Sequence, residues 1–153
     1  FLFCGLFSYQ FLNSTVRSPR RQLPITTCSE VIEFNNEKHY IPPQVKKYLL
    51  DLERVFKKTE IETNYVFGAS RLLGEIVLLG KQFPSSPIWS LNDLNDWLMN
   101  NKLPNSFYLI SNHPNSNYIF DNFKDYKITY LDSVKKQKYN GNTEIIRCYV
   151  LNK

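Results

Sequence analysis

The sequence predicts one α/β domain of three-layer, Rossmann-like build, with a mostly parallel sheet and a C-terminal antiparallel hairpin. Three observations carry that expectation. From residue 63 onward, short apolar runs alternate with stretches of helical apolar spacing, the pattern of a parallel sheet with helices on its faces. The run 106–111 (SFYLIS) is nearly continuously apolar, as a strand buried on both faces requires. Two alternating segments, 126–131 (YKITYL) and 144–151 (EIIRCYVL), flank Asn140-Gly141-Asn142, whose residue types suit a hairpin turn.

Bulk properties agree with a folded domain. A chain of 153 residues, 42% hydrophobic and 22% charged, can bury a core and is not disordered. The net charge is +5, but the cations are scattered. Their compact clusters are Arg17–Arg20–Arg21, Lys46–Lys47, Lys57–Lys58 and Lys135–Lys136–Lys138. None is interleaved with aromatics as nucleic-acid motifs are, so no nucleic-acid partner is expected, and solvated faces account for the charges.

The order of elements divides the chain. Residues 1–14 begin with FLFCGLFSYQFL, an apolar run shorter than the roughly 20 residues that cross a bilayer. It lacks a basic n-region, which argues against a signal peptide. The expectation is the end of a transmembrane helix whose start lies upstream; a short core helix or edge strand is the alternative. Residues 15–43 form a juxtamembrane segment, with Arg17, Arg20 and Arg21 among headgroups and a possible strand at 26–34 (TTCSEVIEF). By the positive-inside tendency these arginines mark a cytoplasmic flank. Residues 44–153 form the soluble α/β domain.

Within that domain, Val45, Tyr48, Leu49, Leu52, Val55 and Phe56 recur at helical spacing, and Pro43 suits a first helical turn. The stretch 35–39 is read as a break before this helix. A short strand follows at 63–67 (TNYVF), then a helix over 69–79 stopped by Gly80. Ile88-Trp89 makes a brief strand. Ser90 and Asp93 form an acidic variant of a capping box for a third helix, with Leu91, Leu94, Trp97 and Leu98 inward and Leu103-Pro104-Asn105 at its end. After SFYLIS, a helical turn at 118–123 leads to the final hairpin.

Candidate chemistry is sparse. At the first strand-to-helix junction, Gly68, Ser70 and Arg71 could hold a phosphate on helix-start N–H groups. One glycine stands there where a dinucleotide fingerprint has three, so a tight turn explains the junction equally. His113 lies in the loop after the apolar strand, where open α/β sheets bind ligands; a solvated loop histidine is the alternative. Glu75 is either an exposed helix glutamate or a half-buried one needing a partner, with Arg71 four residues earlier as the candidate. Asp93 and Asp96 are first-turn helix charges. Cys4, Cys28 and Cys148 have no metal-ligand spacing, and Cys28 with Cys148 suits either a bridge or two buried thiols. No GxSxG elbow is present. No catalytic residue, metal or cofactor is assigned.

The run 65–98 (YVFGASRLLGEIVLLGKQFPSSPIWSLNDLNDWL), followed by SFYLIS, resembles the C-terminal soluble domain of polytopic glycosyltransferases of the dolichyl- or polyprenyl-phosphate-sugar type. That group includes the protein mannosyltransferases and the aminoarabinose transferase of lipid A. The resemblance implies a strand, the helix SRLLGEIVLLG, a strand ending near Trp89, a helix starting at Ser90, and a further strand. It implies partners too: an upstream transmembrane domain of the same chain, a lipid-linked sugar and the membrane surface. It places the domain on the periplasmic, extracellular or lumenal side, opposite to the arginine flank. The catalytic acidic residue of such enzymes lies in an early loop that this sequence does not contain.

The expected function is therefore a non-catalytic accessory domain of a membrane glycosyltransferase. A self-standing α/β ligand-binding or enzyme domain using Gly68, Ser70, Arg71 and His113 is the second reading. An interaction module tethered to a membrane is the third.

Overall fold

The computed structural model of the chain describes residues 28–68, 75–82, 91–113, 120–138 and 141–153, without the side chains of 91–94. The order is β1 (Glu30–Phe34), β2 (Glu37–Ile41), α1 (Pro43–Phe56), β3 (Val66–Gly68), a 3-10 turn (Ile76–Leu79) and α2 (Leu91–Asn100). Then come β4 (Ser106–Ser111), a second 3-10 turn (Asp121–Phe123), β5 (Lys127–Gln137) and β6 (Thr143–Asn152).

This architecture corrects the expected fold class. The chain is not a three-layer Rossmann-like α/β domain with a mostly parallel sheet. It has a two-stranded sheet, β1-β2, and a four-stranded mixed sheet in the order β3-β4-β6-β5. Among the described strands only β3 and β4 run parallel; β6 is antiparallel to both β4 and β5. The apolar run of β4 was a sound sign of burial on both faces but carried no information about neighbour direction. Phe107 and Leu109 join one core cluster, while Tyr108 and Ile110 join the other. Burial on both faces is common in parallel sheets, yet here it arises beside an antiparallel partner.

The helix expected over 69–79 is also corrected where it can be followed. Residues 76–79 form a 3-10 turn, and Gly80 ends it at φ 67°, with its N–H donating to the Val77 carbonyl. The stretches 69–74, 83–90 and 114–119 lie outside the described residues, and with them the Ile88-Trp89 strand and the Ser90 cap. So does 1–27, where the membrane segment and the arginine flank were expected. No helix among the described residues is long and apolar enough to cross a membrane.

The segment read as a break at 35–39 is instead a tight hairpin. Asn35 and Asn36 adopt φ of 52° and 63°, as the centre of a type I′ turn does, and Phe34 faces Glu37 across it. Asparagine tolerates this left-handed backbone better than most residues. Ile32 and Ile41 tie the hairpin to the core, and Lys46 Nζ reaches Glu30 Oε2 at 2.9 Å.

Helix α1 buries the stripe its spacing indicated: Val45, Tyr48, Leu49, Leu52, Val55 and Phe56. Leu49 and Leu52 are fully inaccessible, each contributing about 1.5–3 kcal/mol by leaving water. The helix lies on the sheet face formed by Val66, Ile110, Val134, Ile146 and Val150. On the opposite face Phe67, Phe107, Phe123 and Tyr126 meet edge-on, with ring centroids 5.2–6.3 Å apart, and Trp97 of α2 packs on Phe67 at 5.4 Å.

One extra residue lets β5 serve both faces. The register shifts between Tyr130 and Asp132, leaving Leu131 as a bulge. Before it, Ile128 packs with the aromatic cluster; after it, Val134 packs under α1. A bulge inverts the inward parity of the residues that follow it. The turn to β6 closes through Gly141 at φ 84°.

Candidate functional site

The residues singled out in sequence fall at one end of the sheet. Gly68 ends β3 and His113 lies just beyond β4, so both sit at the carboxyl ends of the two parallel neighbours. Ser70 and Arg71 lie outside the described residues. Gly68 is buried and faces Ile110 across the ladder. A Cβ at this position meets both Ile110 Cγ1 and the Ile110 carbonyl oxygen at 2.8 Å. Close packing of β3 on β4 therefore accounts for the glycine without any ligand. The His113 N–H donates to Ser111 Oγ at 3.2 Å, and its carbonyl accepts from Arg147 Nη1 at 3.1 Å.

Around this end lie polar groups that sequence reading did not connect. Glu75 pairs with Lys136, Nζ to Oε2 2.5 Å, with side chains only 22% and 14% exposed. This is the partner that a half-buried Glu75 requires. It comes from β5, 61 residues away; Arg71, the neighbour considered in sequence, lies outside the described residues. Glu144 accepts a hydrogen bond from Asn112 Nδ2 and lies 3.5 Å from Lys138 Nζ. Lys58 engages Asp132, whose carboxyl is held below its ordinary value by that bond and by the Ser133 N–H.

Two ionisable groups lie beneath α1. Lys136 Nζ stands 4.9 Å from the Tyr48 ring centroid, and the Tyr48 hydroxyl is buried without a hydrogen-bond partner among the described residues. Burial, then the charge of Glu75, pushes the Tyr48 hydroxyl well above the ordinary phenol value. Cys148 is buried too; loss of solvent, helped by the Asp132 charge, pushes its thiol up to about 12. At neutral pH that sulfur is protonated and poorly nucleophilic. Cys28 and Cys148 are both free thiols, so the alternative of a bridge between them does not hold. Among the described residues, no group of three or more His, Cys, Asp or Glu is placed to hold a metal ion.

The fold brings two of the lysine clusters to one end of the molecule. An open groove of about 480 Å³ is lined by Pro43, Gln44 and Lys47 of α1, Lys135 and Gln137 of β5, and Thr143 of β6. Among the described residues no carboxylate lines it. Lys46 pairs with Glu30, Lys47 with Asp51 at 2.7 Å, Lys136 with Glu75, and Lys138 with Glu144. Lys135 is exposed and has no ion pair among the described residues. The sequence showed the clusters but not their convergence, because α1 and β5 meet only through tertiary packing.

No protein-family model, curated protein or solved structure matches the chain.

Proposed function

We propose that the chain is a membrane-tethered binding module that performs no catalytic step itself. It serves as the extramembrane accessory domain of a glycosyltransferase whose sugar donor is carried on a polyprenyl phosphate. The observation that carries the non-catalytic part is the use made of the acidic side chains at the polar end of the sheet. Glu75, Glu144 and Asp132 are each held by a lysine, and the buried thiol of Cys148 is protonated. Groups so engaged fasten elements together: Glu75 holds the 3-10 turn to β5, and Asp132 holds β5 to the end of α1.

Tethering is supported by the apolar start FLFCGLFSYQFL followed by Arg17, Arg20 and Arg21, which suits a lipid core next to headgroups. The glycosyltransferase assignment rests on the resemblance over 65–98 and 106–111.

Vesicle flotation of the full chain tests the tether. The chain is expected to float with phosphatidylcholine vesicles and more completely when phosphatidylglycerol is added. Replacing Arg17, Arg20 and Arg21 by Ala should remove only that anionic increment. A chain that stays at the bottom with both vesicles refutes tethering. Release of sugar from a polyprenyl-phosphate donor by the chain alone refutes the non-catalytic reading.

A further inference from the structure

We propose that β5 accepts an extended acidic peptide segment of a partner protein as an added strand at residues 135–137. The starting point is the ladder at the hairpin end. The Lys138 N–H donates to the Asn142 carbonyl at 2.7 Å, so these two residues form a hydrogen-bonded pair. In an antiparallel ladder such pairs alternate with non-bonded ones. Lys136 and Val134 therefore turn their backbone groups toward β6, while Gln137, Lys135 and Ser133 turn theirs to the free edge.

That edge is closed at one end and open at the other. The Ser133 N–H donates to Asp132 Oδ1 at 2.7 Å, and the Leu131 bulge interrupts the strand just before it. Both are ordinary ways of protecting an edge strand. Beyond Ser133 neither device is present. The N–H groups of Lys135 and Gln137 have no hydrogen-bond acceptor among the described residues. The sheet's other edge differs: β3 is covered by Gln82, whose carbonyl accepts from Val66 N–H at 2.8 Å and whose N–H donates to Asn64 at 2.7 Å.

Lys135 and Gln137 are two residues apart, which is the repeat by which an added strand forms main-chain hydrogen bonds. Both also line the groove, with Pro43, Gln44 and Lys47 along its other side. The open backbone edge thus sits within a cleft that fits a short extended segment. The charge of the lining selects the occupant. Among the described residues, Lys135 carries no ion pair, Lys47 pairs with Asp51 alone, and no carboxylate faces the cleft. Acidic side chains at alternate positions of the added strand share one face and complement Lys135 there, and basic ones are repelled. The inference rests on strand pairing and charge alone and stands whether or not the chain is membrane-tethered.

The test uses the full chain and a fluorescein-labelled Glu-Val-Glu-Val-Glu peptide, with anisotropy as the readout. Comparison peptides are Lys-Val-Lys-Val-Lys and the acidic peptide N-methylated at every backbone nitrogen. The acidic peptide is expected to saturate, the basic one not to bind, and N-methylation to weaken binding about tenfold or more. Hydrogen exchange should slow at the Lys135 and Gln137 amides when the acidic peptide binds. Lys135→Glu, a change at an exposed side chain, should reverse the charge preference. The proposal is overturned if the N-methylated peptide binds as well as its parent, since that is ion pairing without strand addition. Protection mapping elsewhere, an unchanged preference in K135E, or no saturation below about 1 mM overturns it equally.

Discussion

The buried hydroxyl of Tyr48 makes a prediction of unusual sign. Tyr48 is 1% exposed, and its ring lies against Lys136 at 4.9 Å. Its hydroxyl oxygen is buried and has no hydrogen-bond partner among the described residues. A buried polar group without a partner costs about 1–3 kcal/mol relative to its solvated state in the unfolded chain. Tyr48→Phe keeps the ring, its packing between α1 and the sheet and its contact with the lysine, and removes only the oxygen. No partner is orphaned by the change. The variant should therefore be more stable than the parent by about 1–2 kcal/mol, a rise in melting temperature of roughly 3–6 °C for a chain of this length. Urea unfolding followed by tryptophan fluorescence measures it, since Trp97 packs on Phe67 at 5.4 Å and reports loss of the core. The slope against urea should not change, because the surface exposed on unfolding is the same. Tyr108→Phe supplies the contrast. The Tyr108 hydroxyl reaches the carbonyl oxygens of Phe56 and Ile61, each at 3.2 Å. Removing it should destabilise by about 1 kcal/mol. If Y48F is less stable than the parent by more than about 0.5 kcal/mol, the hydroxyl is satisfied in the folded protein and the reasoning fails.

Two further outcomes follow from the same geometry. Gly68→Ala places a Cβ 2.8 Å from the Ile110 carbonyl oxygen and Cγ1; the backbone atom cannot move aside, so urea unfolding should show a loss of about 2 kcal/mol, and a loss under about 0.5 kcal/mol would dismiss close packing as the reason for the glycine. The Asp132 carboxyl, held low first by Lys58 and then by the Ser133 N–H, contributes stability above its unfolded value of 3.8 that is lost as pH falls through the lowered folded value. Stability curves of the parent and Asp132→Asn should separate above that pH and converge below it; curves that stay parallel through the acid range contradict the assigned pairing.

How much of this was legible in the chain depends on the range of the interaction. Val45 to Phe56 declared their buried face because a helix repeats over a few residues, and Gly80 and Gly141 declared turns because positive φ is a local demand. The Asn35-Asn36 turn carried a comparable local signal, but without strong apolar alternation in EKHYI it read as a break. The strands were found more readily than their neighbours. SFYLIS and YKITYL announce extended backbone, yet any strand can pair with any other in either direction through the same N–H and C=O groups. Of the candidate site, Gly68 drew a reading as a loop glycine, whereas its close approach to Ile110 is a contact between strands, and the lysine that meets Glu75 lies on β5, out of reach of local spacing. Tyr48, Lys136 and Gln137 drew no functional reading, since nothing local distinguishes a buried tyrosine or an edge-strand glutamine from any other.

By itself the sequence determined the stripe of α1, the double-sided burial of β4 and the turn before β6, all properties of periodicity and turn chemistry within about a dozen residues. The tertiary structure decided the strand order β3-β4-β6-β5, with β6 inserted antiparallel beside β4. It also decided the ion pairs Glu75–Lys136 and Lys58–Asp132, spanning 61 and 74 residues, and the open edge at Lys135 and Gln137 beside α1. These depend on which backbone and which charge end up adjacent once the core closes. Hydrogen bonds and ion pairs across such separations leave no mark in local spacing, because loop closure, packing and strand register select them together.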